Sequence, residues 1–339
     1  GTAMGAEVRA TGFNVLLAGG VNLIREPRNG RNFEYFSEDP LLSGVMAGHA
    51  IRGLQSNQIV STVKHYAMNA QETGRAVLSA AIGEAAMRES DLLAFQIAIE
   101  IGNPGSVMCS YNRVNGVHAC ENSFLLNDVL RRDWGYKGWV MSDWDAVHSP
   151  SIRQGLDQES GTGPQQTVEY FGSLLRADLA AGRISVSDID RSVLRILRTM
   201  YANGLADNPV RKGQPSDFET GGRAAQQIAE RGIVLLKNDA DLLPIADSAK
   251  RVLLVGGHAD MGVLQGGGSS QVWPVGGASL SLEVPGAPVY LRRIYSPSSP
   301  LKALRNQLPG AAVTYDDGTD PARAAAAAAK ADIVLVFAE

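Results

Sequence analysis

Two carboxylates flank a tryptophan in "SDWD", residues 142–145, directly after the apolar run "GWVM". An acidic group beside a large aromatic ring at a strand end suits sugar chemistry. The ring offers an apolar face to a pyranose, and the ionised carboxylate can attack an anomeric carbon. The same pair also fits ordinary surface, so the weight falls on the other strand ends. There the sequence sets "REPRNGRNFEYFSEDP" after 13–23, Lys64 and His65 after 58–63, and Tyr111 and Asn112 after 105–110. Asp143 and Trp144 follow 137–142. A lone Lys-His pair is more often surface or core, but four polar strand ends on one face outline a site. Arg and Lys supply the multiple donors that sugar hydroxyls require. Asp143, with Lys64 and an arginine near it to hold its pKa down, suits the nucleophile.

The elements that must position these groups follow from the apolar pattern. Runs of strand length occur at 13–23, 58–66, 105–111 and 137–144, with a further strand expected near Ile152–Leu156. Between them, helical patterns occupy 39–55, 83–100 and 122–134, the first opened by Asp39 as cap and Pro40 behind it. Strands apolar on both faces, alternating with helices, predict a parallel sheet under helices, and at this length a (β/α)8 barrel. Because only four or five strands precede residue 205, the opening barrel strands are expected to be absent from this chain. The start, "GTAMGAEVRATG", reads as the end of an Ala-rich helix and has no signal-peptide pattern. An amphipathic helix follows over 184–205, with Ser185 or Ser187 as N-cap and Asn203-Gly204 as stop.

The expected organisation is a TIM-barrel-like catalytic domain over 1–205, a Pro-rich linker over 206–217, and an α/β sandwich domain over 218–339. In the second domain "AAQQIAERGIVLLKND" reads as helix then strand, and 251–257 and 331–339 as buried strands flanking an Ala-rich helix. It ends on a strand, so its C-terminal part is also expected to be missing.

Composition narrows the function classes. The 339 residues are 45% hydrophobic and 19% charged, with a formal net charge of -4 and no block of one sign. No nucleic-acid partner is implied. No apolar run approaches the roughly 18–20 residues that cross a bilayer, so no membrane partner is expected either. The five histidines show no ligand spacing, and neither metal nor cofactor is expected. "GGGSSQVWP", 266–274, lacks the lysine of a phosphate loop and the dinucleotide spacing. Cys109 and Cys120 stand eleven positions apart across a Gly-containing loop, and from the residues alone pairing and free thiols are both open.

"EPRNGRNFEYFSEDP", "KHYAMNAQETGR", "VMCSYNRVNG" and "GWVMSDW", in that order, resemble glycoside hydrolase family 3, the β-glucosidase and β-xylosidase family. "RGIVLLKND", the following "LLP" and "GGGSSQVWP" resemble its second domain, so the likeness runs from about residue 4 to 339. The resemblance implies a retaining exo-β-glycosidase, first of all a β-glucosidase acting on terminal β-D-glucosyl units of a glucoside or oligosaccharide. A β-xylosidase or α-L-arabinofuranosidase, or a non-hydrolytic sugar-binding fragment, is the alternative. It implies Asp143 as nucleophile, Arg31, Lys64 and His65 as sugar ligands, Met108 and Tyr111 as pocket lining, and Trp144 as stacking edge. It further implies that Cys109 and Cys120 pair, as in secreted members, and hence a secreted or periplasmic location. Ser269, Ser270 and Trp273 become contacts on the leaving-group side. Two departures stand out. The family's sugar-binding aspartate has no counterpart here, and the general acid is expected beyond Glu339, the last residue. "KHYAMN" also stands where members with a histidine acid carry "KHFPGHG". Oligomeric state is not readable.

Overall fold

The computed structural model describes residues 1–161, 168–288 and 291–338. They divide into two compact units, Gly1–Ala225 and Gln226–Glu339.

In the first unit the strands Val15–Leu16, Val60–Tyr66, Ser106–Cys109 and Trp139–Ser142 pair in that order, all parallel. Sequential parallel strands joined by helices are the arc of a barrel wall. Both faces are covered, as the continuous apolar runs require. Val63, Val107, Cys109 and Val140 face a core shared with the helices, whereas Val60, Met108, Trp139 and Met141 join a second cluster with Ile196, Met200 and Leu205.

The helix Pro40–Gln55 starts where the sequence places it, the Leu42 amide donating to Asp39 Oδ1 at 2.7 Å. It buries Ala47 and Ile51 in the core shared with the helix Asp91–Gly102. The approach is close enough that a Cβ on Gly44 or Gly48 would stand 2.7 Å from Ile97 or Ile101. A larger side chain at either position would prise the two helices apart. The helix Val186–Ala202 begins at Ser185 rather than Ser187. The Asp188 carboxylate there accepts from the Ser185 amide and hydroxyl, both at 2.8 Å.

This last helix is fastened to the sheet by charge. Asp157, wholly buried, accepts from Arg131 at 2.5 Å, Arg195 at 2.8 Å, the Ser192 hydroxyl at 3.0 Å and the Val140 amide at 2.8 Å. Arg131, Arg195, Arg132, Arg153 and Arg191 line a cleft on this flank. Asp157, Asp128, Asp133 and Asp188 answer four of those cations from behind, so the cleft is the outer side of a clamp.

Several elements differ from the sequence pattern. The run 13–23 is a strand only at Val15–Leu16, continuing as single bridges from Gly20 to Tyr35 and Lys64. The expected strand near Ile152–Leu156 is instead a 3-10 turn, Ser151–Gln154, and the chain rejoins the sheet through Gln158 opposite Met141. The helix expected over 83–100 breaks at Ser90 into Glu84–Glu89 and Asp91–Gly102.

In the second unit a parallel sheet has the order Ala312–Asp316, Arg251–Gly256, Ile333–Phe337. Val252 and Leu254 are its buried centre. The strand Ile333–Phe337 was expected to be buried, yet among the described residues it pairs only with Arg251–Gly256, and Val334 and Val336 are exposed. "IVLL", 233–236, forms a strand neither with this sheet nor elsewhere among the described residues, and Leu236 is 92% exposed. A strand needs a partner backbone, and these residues show none. Gly268–Ser270 is a 3-10 turn in an exposed loop that carries Trp273.

Candidate active site

The C-terminal ends of the sheet strands bring the polar groups together. Asp143 follows Trp139–Ser142, its amide donating to the Cys109 carbonyl on the neighbouring strand at 3.1 Å. Asp143 is buried, its side chain 11% exposed. Its Oδ1 accepts from the Tyr111 hydroxyl and from the Trp144 amide, each at 2.9 Å. Its Oδ2 lies 3.6 Å from His65 Nε2. Burial raises the Asp143 carboxyl above the ordinary aspartate range; the Tyr111 and Trp144 hydrogen bonds and the charges of Arg31 and Arg75 oppose it without cancelling it. The expectation of a depressed nucleophile is therefore corrected: desolvation outweighs the cations.

His65 is buried and neutral, its pKa pushed well below the usual value by burial and then by Arg31, Lys64 and Arg75. Asn22 fixes its backbone from both sides, accepting from the His65 amide at 2.8 Å and donating to its carbonyl at 2.9 Å.

Lys64 belongs to a different group of atoms. Arg31 donates to both oxygens of Glu34, Nε at 2.6 Å and Nη2 at 2.8 Å, and the Lys64 ammonium lies 3.3 Å from Glu34 Oε2. Burial would raise the Glu34 carboxyl, but Arg31 and Lys64 hold it below the usual glutamate range. Glu72 lies 3.7 Å from Arg31 and accepts from Arg75 at 2.6 Å and from Asn69 at 3.2 Å. The Arg75 guanidinium in turn stands 4.0 Å above the centre of the Tyr111 ring. Three cations and three carboxylates, Asp143 among them, thus alternate around the pocket. Glu34, held ionised by its two cations, is unsuited to donate a proton.

Trp144 is 42% exposed, an open ring beside the carboxylate. Met108 is 2% exposed and packs inside with Val60, Trp139 and Met141. Cys109 and Cys120 are joined by a disulfide with their Cα atoms 5.1 Å apart. The link closes the loop that carries Tyr111 back onto its strand. Glu339 lies outside the described residues. Ser269, Ser270 and Trp273 belong to the second unit and the groups around Asp143 to the first. Among the described residues, no cluster of three or more His, Cys, Asp or Glu could hold a metal ion.

Asn22, Glu34, Glu72 and Arg75 were not singled out from sequence. "RNFE" and "ETGR" each space an Arg and a Glu by three, a readable pairing signal, but which pair faces the carboxylate depends on the fold.

Comparison with known proteins agrees with this geometry. Residues 1–199 match the model of the glycosyl hydrolase family 3 N terminal domain, and 233–339 that of its C-terminal domain. Beta-glucosidase B of Emericella nidulans is 40% identical over 278 residues, 80% of this chain and 32% of that protein. The thermostable beta-glucosidase B of Acetivibrio thermocellus is 36% identical, over 81% of this chain and 36% of its own length. Among solved structures, beta-glucosidase 3B from Thermotoga neapolitana in complex with glucose is 36% identical, with a TM-score of 0.73 over 79% of this chain and 38% of that one. The GH3 beta-glucosidase of Bifidobacterium adolescentis is 34% identical, with a TM-score of 0.82 over 99% of this chain and 47% of that one. The chain therefore spans about a third to a half of the length of these relatives.

Proposed function

The chain belongs to glycosyl hydrolase family 3, and we propose that it carries the nucleophile and glycone pocket of a retaining β-glucosidase acting on terminal β-D-glucosyl units. The observation that supports this most is the setting of Asp143: buried at a strand end, held by Tyr111 and the Trp144 amide, beside an open indole ring. The names of the relatives favour a glucoside over a xyloside or arabinoside.

In this reading Asp143 attacks the anomeric carbon from the α face as the bond to the leaving oxygen breaks. The leaving oxygen takes a proton from a general acid that the described residues do not supply. The resulting glycosyl–aspartate ester is hydrolysed by water, restoring the carboxylate and the β configuration. Tyr111 and the Trp144 amide fix Oδ1, leaving Oδ2, with His65 Nε2 3.6 Å away, as the attacking oxygen. Arg31 and Lys64, kept apart and aimed by Glu34, offer donors to glycone hydroxyls, and neutral His65 adds an uncharged one. Trp144 stacks on the pyranose. The Cys109–Cys120 bridge supports a secreted or periplasmic location, where disulfides persist.

The test uses the protein encoded by the complete reading frame. It should cleave cellobiose and aryl β-glucosides. Asp143→Ala should remove turnover by roughly 10⁴-fold or more, and azide should restore aryl glucoside cleavage while yielding the α-glucosyl azide. Near-normal hydrolysis in Asp143→Ala would refute the assignment.

A further inference from the structure

Arg75 makes no contact that the reaction above requires, yet it is held tightly. Gly74, at φ 69°, turns the chain, and the Arg75 amide donates to the Glu72 carbonyl at 3.2 Å. Glu72 Oε2 then takes the guanidinium at 2.6 Å, while its other oxygen is fixed by Asn69. The Glu72 amide itself donates to the Asn29 carbonyl at 3.3 Å, anchoring the turn to the segment that bears Arg31. The guanidinium plane is thereby delivered 4.0 Å above the Tyr111 ring, whose hydroxyl donates to Asp143 Oδ1. Glu72, Arg75, Tyr111 and Asp143 form one chain of contacts, built from three separate loops.

A cation over a phenol face is attracted by the ring's electron density and draws on it. The polarised hydroxyl becomes a better donor, and hydrogen bonds in series strengthen one another. The cation adds a further contact to a ring that already packs against the core and hydrogen-bonds Asp143.

We propose that Arg75 is a positioning residue for the nucleophile, acting through Tyr111 to hold Asp143 oriented and ionised. The proposal rests on the reading of Asp143 as nucleophile. Other charged groups facing the carboxylate are Arg31 and, when protonated, His65, with Glu34 and Lys64 one layer further out. Since burial raises Asp143 and Arg75 is among the groups opposing that rise, losing Arg75 should make the carboxylate harder to ionise.

The experiment compares wild type, Arg75→Gln and Arg75→Lys, with Arg75→Met as a second neutral variant should the glutamine fail to fold. Each is measured alone and in a Tyr111→Phe background, in the complete protein. Arg75→Gln should move the acidic limb of kcat/KM to higher pH. The loss should be roughly tenfold below the limb and smaller at neutral pH, with kcat falling and KM nearly constant. Arg75→Lys should restore part of the shift. Arg75 also opposes the rise at Asp143 directly by its charge, so in Tyr111→Phe the same substitution should keep only that direct part and have a smaller effect. An unmoved acidic limb, or an equal shift with and without the Tyr111 hydroxyl, overturns the proposal. The 13C carboxyl titration of Asp143, assigned by its loss in Asp143→Asn, reads the same shift without turnover. A wild type inactive on glucosides would therefore contradict the function while leaving the Arg75 effect measurable.

Discussion

The Lys64 ammonium sits 3.3 Å from Glu34 Oε2, with both side chains nearly buried, and the same carboxylate accepts from Arg31 on both its oxygens. Glu34 is thus the shared counter-ion of two cations. It keeps them from repelling each other and sets the angle at which both present donors to the pocket. Without it two positive side chains would share a desolvated corner.

Glu34→Gln should therefore damage sugar binding more than folding. Charge-assisted hydrogen bonds contribute about 1.5–3 kcal/mol, so kcat/KM should fall roughly 10- to 100-fold, mostly through KM. Steady-state kinetics beside a thermal melt decide it. A melt that drops while kcat/KM per folded molecule stays put would make Glu34 merely structural.

How far this was legible in sequence follows from what each feature depends on. Asp39–Pro40 and the apolar runs fixed the helix Pro40–Gln55 and the parallel strands because those signals are local. Asp143, Lys64, His65 and Tyr111 were readable as strand-end residues. The partner of Lys64 was not: its distance to Glu34, thirty positions earlier, exists only once the 3-10 turn Asn32–Glu34 lies against the strand Val60–Tyr66. Nor was the direction of the Asp143 shift, since desolvation depends on how completely the loops close over the carboxylate. "IVLL" at 233–236 carries a strand pattern, but pattern cannot supply a partner edge.

Asp143 also makes a stability prediction. Its folded pKa is raised, so the native state holds the proton more tightly than the unfolded chain. Its contribution is fully present below the unfolded aspartate pKa and is lost as pH rises through the folded one. Asp143→Asn should then melt above wild type at neutral pH, with the gap closing as pH falls toward the unfolded value. Melting curves across that range test it; a variant less stable than wild type at pH 7 would contradict the sign.

Replacing Asp157 should destabilise the fold. Its carboxylate is the buried partner of both Arg131 and Arg195. Burial already pulls Arg131 below the usual arginine value despite that carboxylate. Asp157→Asn leaves two cations uncompensated and should cost about 3–5 kcal/mol. Denaturant unfolding of wild type and variant measures it, and a loss under 1 kcal/mol would show that solvent reaches the clamp.

The central claim, that Asp143 is the atom-for-atom nucleophile of a retaining glycosidase, is tested most directly by trapping the ester. An activated 2-fluoro-β-glucoside forms the glycosyl–enzyme quickly and hydrolyses it slowly, because the fluorine destabilises both oxocarbenium-like transition states while the good leaving group rescues only the first. Incubated with the complete protein and digested for mass spectrometry, it should add one 2-fluoroglucosyl group per molecule, on the peptide carrying Ser142, Asp143 and Trp144. Fragmentation should place it on Asp143, and Asp143→Asn should take up none. A stoichiometric adduct on another carboxylate, or full turnover of glucosides with no adduct at all, would contradict the account.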